Sequence, residues 1–375
     1  MTPRFAVSVI VATSASLAAC AHSYPGEVRL DAIKRAQVWT KTNVSAMDIK
    51  AGPTGEGAFA PEATVNCEYV EKKMTGRSPK FTCKVGADDE VKVKFGPSNG
   101  EVYGEVAASR LFWALGFGAD RMYPVKVVCK GCPSSVVGTD VAVIERKLPG
   151  REIESDIESG WAFRELDLID PDKGGATRAE RDALKLLAVF MQHTDSKAIQ
   201  QRLLCLDPET TEGKASGNGD TNGNNNGTAN SSGKEKSDSK KSDSKSCEES
   251  FMFVQDVGLT FGHATKFNGT GTESVSLIDW AATPIWKDPK RCIANMPKSM
   301  TGTLKNPQIS EEGRKFLADL MQQLSDHQLR DLFEVARFGR RPALENRPGS
   351  TATVQQWVDA FKKKRSEIVD HVCPG

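Results

Sequence analysis

His193, Asp195 and Lys197 stand in one octet, His193-Thr194-Asp195-Ser196-Lys197-Ala198-Ile199-Gln200. A carboxylate two residues from an ammonium suits proton acceptance from a hydroxyl beside a group that neutralises growing charge. A second carboxylate, Asp256, follows the apolar run Phe253-Val254-Gln255 and precedes Val257-Gly258, which places it on a turn after a strand. Upstream, Lys94 closes an alternating run, and Glu105 follows eleven residues later. A lysine can hold phosphates, and a carboxylate with an amide oxygen can hold Mg2+. A second carboxylate can orient a nucleophile. Lys94, Asp256, Gln200 and Asp195 supply that inventory, which is the one phosphoryl transfer needs. Gln201, adjacent, is a second candidate for the amide ligand.

The elements that must position these residues fall into two halves. Residues 46–148 read mostly as strands with one helix. Val65–Val70 and Lys80–Val85 are β-rich and flank the turn Thr75-Gly76-Arg77-Ser78-Pro79. Val91-Lys92-Val93-Lys94-Phe95 alternates strictly, as a half-buried strand does. Glu101 to Leu115 carries apolar residues at helical spacing and stops at Gly116. Tyr123–Cys129 and Val141–Arg146 read as two further strands. Residues 149–375 turn mostly helical: Thr177–Gln192 is amphipathic, and two helices are expected near Ser310–Ala336 and Thr353–His371. The fold class is therefore α+β. Trp280, Trp286 and Trp357 read as core. Residues 208–250 are Gly, Asn, Ser, Lys and Asp with few apolar side chains, so they read as a disordered insertion.

The chain of 375 residues has a formal net charge of +1. Such a balance excludes a general field for nucleic acid. No apolar run reaches the ~20 residues of a membrane-spanning helix. Residues 1–19 read as a secretory signal with Arg4 at its charged start. It ends Leu17-Ala18-Ala19-Cys20, which resembles a bacterial lipobox. That resemblance implies a lipid on Cys20, attachment to the membrane through that lipid, and a tether over residues 20–45. It places the protein in the cell envelope, with Ala21 favouring the outer membrane in a Gram-negative organism. Eight cysteines remain of nine, an even number in an exported chain. Pairing near neighbours gives Cys67–Cys83, Cys129–Cys132, Cys205–Cys247 and Cys292–Cys373, although spacing alone leaves the connectivity open.

The octet resembles the protein-kinase catalytic loop H-R-D-x-x-x-x-N, with Gln200 where that pattern has Asn. Asp256-Val257-Gly258 resembles its D-F-G turn. Lys94 and Glu105 resemble the strand lysine and helix glutamate whose ion pair holds ATP phosphates. Gly52, Gly55 and Gly57 precede the first hairpin and are read as a phosphate-covering glycine loop. Ile144 to Gly150 falls at the connection between lobes. The chain is thus similar to the atypical kinases, HipA-like and phosphoinositide-kinase-like, over about residues 46–290. An A-P-E motif is absent. The resemblance implies a two-lobed fold with a β-rich first lobe and a helical second lobe. It also implies ATP and Mg2+ as cofactors, Asp195 and Lys197 as catalytic, and Asp256 and Gln200 as metal ligands. The acceptor stays open, as does transfer of AMP in place of phosphate. The alternative is an inactive kinase-like envelope lipoprotein that binds or scaffolds.

Overall fold

A computed structural model describes residues 26–155, 159–206, 247–262, 274–296, 301–342 and 351–374. Cys20, the signal segment and residues 207–246 lie outside these described residues. Five strands close a barrel in the order β1-β2-β3-β5-β4. They are β1 (Thr64–Val70), β2 (Lys80–Lys84), β3 (Glu90–Phe95), β4 (Arg121–Lys130) and β5 (Ala142–Arg146). Neighbours run antiparallel except β1 and β4, which are parallel. The period of two in β3 decides what faces where. Val91, Val93 and Phe95 point into the barrel with Phe81, Tyr123 and Ile144. Lys92 and Lys94 therefore point out of it, Lys92 to Glu145 on β5 and Lys94 to helix α2 (Glu101–Ala114). That helix is apolar nearly all round and buried on nearly every side, as expected of one packed between layers. It stops at Gly116, which has a φ of +84°. A Cβ there would lie 2.1 Å from the Thr40 carbonyl oxygen, so only glycine fits.

The rest of the chain is mostly helical and holds a three-stranded sheet in the order β6-β7-β8; its buried apolar residues share one cluster with those of α2. These strands are β6 (Arg151–Glu152), β7 (Gln201–Cys205) and β8 (Ser250–Val254). Helix α3 (Arg178–Met191) begins in a Thr177/Glu180 capping box, which satisfies two otherwise open backbone donors. Then come α4 (Leu277–Ala282), the short hairpin β9 (Trp286–Asp288) and β10 (Ile293–Ala294), and helices α5 (Glu311–Gln322), α6 (Asp326–Val335) and α7 (Val354–Val369). Trp280 and Trp357 are fully buried and Trp286 is 8% exposed. Trp280 stacks edge-on against Phe190 and Phe261, and Trp357 against Phe338.

All four expected cysteine pairs are bonded. Cys67–Cys83 staples β1 to β2, and Cys205–Cys247 joins the ends of β7 and the stretch before β8. Two expectations are corrected, and a third is made more definite. The leader expected to be partly helical holds α1 (Gly26–Arg35), which buries Ala32 and Ile33, and its Arg29 pairs with Glu165 at 2.7 Å. Fully burying an isoleucine stabilises by about 1.5–3 kcal/mol, which favours docking of this helix. The expected helix 310–336 is two helices, because Ser325 and Gln328 form a capping box that restarts the chain. The insertion ends earlier than residue 250, since Ser250 opens β8 and is 2% exposed.

Candidate functional site

Lys94 is the centre of the cluster. Its ladder position places it opposite Val143 on β5 and Lys80 on β2. Its ammonium donates to Glu101 Oε2 at 2.7 Å and to Glu105 Oε1, and lies 3.6 Å from Asp256 Oδ1. The Lys94 side chain is 2% exposed, that of Glu105 1%, and that of Asp256 34%. Glu101 and Glu105 stand four residues apart, one turn of α2, so both carboxylates face the barrel. The reading from sequence missed Glu101. An acid in the first turn of a helix is expected from the dipole alone, and only its spacing to Glu105 hints at more.

The Asp256 turn is pressed onto α2. Gly258 N donates to Asp256 Oδ1 at 3.3 Å, and Thr260 Oγ1 donates to the Gly104 carbonyl at 3.3 Å. A Cβ on Gly104 would lie 2.6 Å from the Gly258 carbonyl oxygen, and one on Gly258 2.7 Å from Glu101 Cγ. Two glycines thus let the turn approach the helix and carry Asp256 to Lys94.

The octet completes the site from the other side. Gln200 Nε2 donates to Asp195 Oδ2 at 2.7 Å and to Asp256 Oδ2 at 3.2 Å. Lys197 Nζ lies 3.0 Å from Asp195 Oδ1. Gln200 O also accepts from Gln255 N at 3.0 Å, which ties the octet to the end of β8. His193 is fully buried and lies near Gln201 Nε2. Burial pushes its pKa down to about 4, against the pull of Asp195 and Asp256, so it is neutral at pH 7. Lys94, Glu105, Asp195, Lys197, Gln200 and Asp256 therefore form one connected group.

Three carboxylates surround one buried ammonium, and the electrostatics follow. Burial lowers the pKa of Lys94, but Asp256, Glu101 and Glu105 raise it by more, so it ends well above its ordinary value. Burial raises Asp256, but Lys94 and Lys92 outweigh this and hold it below the usual carboxylate range. Glu105 goes the other way: burial drives it up, and Asp256 and Glu101 add to this against Lys94. Carboxylate oxygens of Glu101, Glu105 and Asp256 lie within 4.8 Å of one another, close enough to share a cation. Gln200 Oε1 is buried and has no hydrogen-bond partner.

Among the described residues no hydrogen bond ties Gly52, Gly55 or Gly57 to this group. A Cβ on Gly52 would strike the Arg110 guanidinium, and one on Gly57 would sit 3.0 Å from Arg146 Nε. Arg146 shares its β5 face with Ile144, whose side chain is in the barrel interior. Lys94 is on the outside. The connection that reaches the Lys94 end of the barrel is β1–β2, because Lys80, its last link, pairs with Lys94. That connection holds Gly76 at a φ of +85°. Lys80 is lowered by burial and by the like charges of Lys94 and Lys92, which shows how near it stands.

No protein-family model matches the chain, and no curated protein matches it. Among solved structures, the crystal structure of a Helicobacter pylori proinflammatory kinase, CtkA, is similar at a TM-score of 0.42 and 12% identity. The likeness covers 83% of this chain and 96% of that one.

Proposed function

We propose that the chain is a kinase-like phosphotransferase that uses ATP and Mg2+, exported and held at the cell envelope by a lipid on Cys20. The carrying observation is the convergence of Lys94, Glu105, Asp256, Gln200 and Asp195 from four separate stretches of chain. In this reading the barrel is the first lobe, 46–148, and residues 149–375 are the second. Lys94 on β3, fixed by Glu105 on α2, is the lysine that meets phosphate oxygens. The β1–β2 turn with Gly76 covers the phosphates. Asp256 and the unpartnered Gln200 Oε1 suit Mg2+, a hard cation that takes oxygen ligands. Mg2+ there would neutralise charge on the transferred group.

The chain's own residues do the rest. Asp195 is held in orientation by Gln200 and Lys197 and accepts the proton of the acceptor hydroxyl. Lys197 then faces the transferred group and offsets its charge. Four disulfides support export, since such bonds persist in oxidising compartments. A second reading, a binding module without catalysis, is favoured by one contact: the Gln200 amide already bridges both aspartates. Phosphate transfer to water or to a supplied hydroxyl separates the two. Asp195→Ala should keep nucleotide affinity and lower the transfer rate by about 100-fold or more. Transfer unchanged in that variant removes Asp195 from the reaction.

A further inference from the structure

We propose that a cavity apart from the Lys94–Asp256 cluster binds an oxyanionic ligand, a phosphorylated group of small-molecule size, against the back of the loop that carries Asp195. The cavity has a volume of about 660 Å3, within the range of small-ligand sites and larger than a bare ion needs. The turn at Phe163–Leu168, the start of α3 and the segment 301–308 wall it. Its lining holds Arg164, Arg178, Arg181, Lys185 and Lys305 against two carboxylates, Asp167 and Asp182. The whole chain carries a net charge of only +1, so this positive excess is local to the cavity.

Both carboxylates are already committed. Lys185 Nζ reaches Asp167 at 2.5 Å and Asp182 at 3.3 Å, and Asp182 Oδ2 also accepts from Ser310 N at 3.0 Å. Arg178 Nε comes only to 3.6 Å from Asp182 and its side chain is 69% exposed. Arg181 Nη1 donates to the Leu166 and Ile169 carbonyls at 3.0 and 2.8 Å, which fixes its guanidinium, and its Nε is buried without a partner. Arg164 and Lys305 are exposed and make no hydrogen bond or ion pair among the described residues. A fixed guanidinium with exposed cations around it matches the several oxygens of a phosphate.

The wall of this cavity grips the catalytic octet. Thr303 donates through N and Oγ1 to the Ser196 carbonyl at 2.9 and 2.6 Å, and Leu304 N donates to Ser196 Oγ at 3.1 Å. Ser196 lies between Asp195 and Lys197. A ligand that draws Lys305 toward Arg164 therefore acts on the backbone next to Asp195.

Calorimetric titration of chain 21–375, which holds every described residue, with tripolyphosphate at near-physiological ionic strength tests the site. Saturable binding is expected, weakened about tenfold or more by Arg164→Ala/Lys305→Ala, the loss expected for a charge-assisted contact. It should be unchanged by Lys80→Ala/Lys197→Ala, which strips accessible cations from the Lys94 cluster. Arg164 and Lys305 are exposed, so their removal leaves the thermal midpoint in place. A second arm presents the same chemistry as a lipid headgroup, on phosphatidylcholine vesicles with and without phosphatidic acid. Vesicle binding lost in the cavity variant assigns the lipid source, and tripolyphosphate binding alone assigns the free one. Unsaturable uptake, or loss only in the Lys80/Lys197 variant, overturns the proposal.

Discussion

Replacing Lys94 by methionine isolates the electrostatics of the cluster. The ammonium is 2% exposed and faces Glu101, Glu105 and Asp256. Methionine keeps most of the volume and removes the charge. Three carboxylates then face one another with no buried cation among them. Removing one partner of a buried ion pair costs about 3–5 kcal/mol, because the remaining charge is left uncompensated. The variant should lose about that much at pH 8, read by urea unfolding with the disulfides intact. The sign of the pH dependence is fixed by the acids. Without Lys94 nothing opposes the burial that already raises Glu105, and Asp256 loses its main depressing neighbour. An acid whose folded pKa is raised binds protons in the folded state first, so stability falls as pH rises from its ordinary value through the folded one. The deficit of Lys94→Met should therefore shrink between pH 8 and pH 5. In the wild type the trend at high pH is opposite in origin: Lys94 is raised, so its contribution is full below its ordinary pKa and is lost only as pH climbs through the raised value. A deficit under about 1 kcal/mol at pH 8, the size of an exposed ion pair, or one that does not change with pH, would refute a buried Lys94 surrounded by acids.

Three further outcomes follow from other parts of the molecule. Gly104→Ala should cost about 1–3 kcal/mol as an overpacked contact, and it should weaken Mg2+-dependent nucleotide binding, since the displaced Gly258 carbonyl belongs to the Asp256 turn; equal affinity would separate that turn from the site. Breaking Cys205–Cys247, which closes a span of 42 residues, should cost about 3–4 kcal/mol in the chain-entropy account, and less once 208–245 are removed; an equal cost in both chains would contradict that origin. Asp120 is fully buried, and burial, with Glu145, raises its pKa to about 7 against Arg202. Wild-type stability should accordingly fall as pH rises from about 4 to about 7, and Asp120→Asn, which keeps an acceptor for Leu148 N, should flatten that slope in a pH series of unfolding curves.

The legible parts of this protein were those whose signal is local. Alternation in Val91–Phe95 put Lys94 on a strand and on its outer face, and helical spacing put Glu105 on the next element. The apolar run before Asp256 announced a strand and a turn. Cysteines bracketing low-complexity sequence announced their own partner. The parts missed depend on what arrives from far along the chain. Gly52 is read as part of a phosphate-covering loop, but it has a left-handed φ of +76° and lies against the Arg110 guanidinium, a contact that local spacing does not reveal. The first helix reads as a leader because its anchor, Glu165, is 136 residues away. Glu101 reads as a first-turn acid until Lys94 is placed beside it. The pause between α5 and α6 is a capping box at Ser325 inside an apolar periodicity that continues across it.

Nucleotide binding by chain 21–375 tests the central claim most directly. ATP should bind in the presence of Mg2+ and weakly or not at all without it. Asp256→Ala should abolish the Mg2+-dependent part, while Asp195→Ala should leave it nearly intact. Absence of ATP binding with Mg2+ present, or binding indifferent to both Mg2+ and Asp256, would contradict the assignment of Lys94, Gln200 and Asp256 to a nucleotide site.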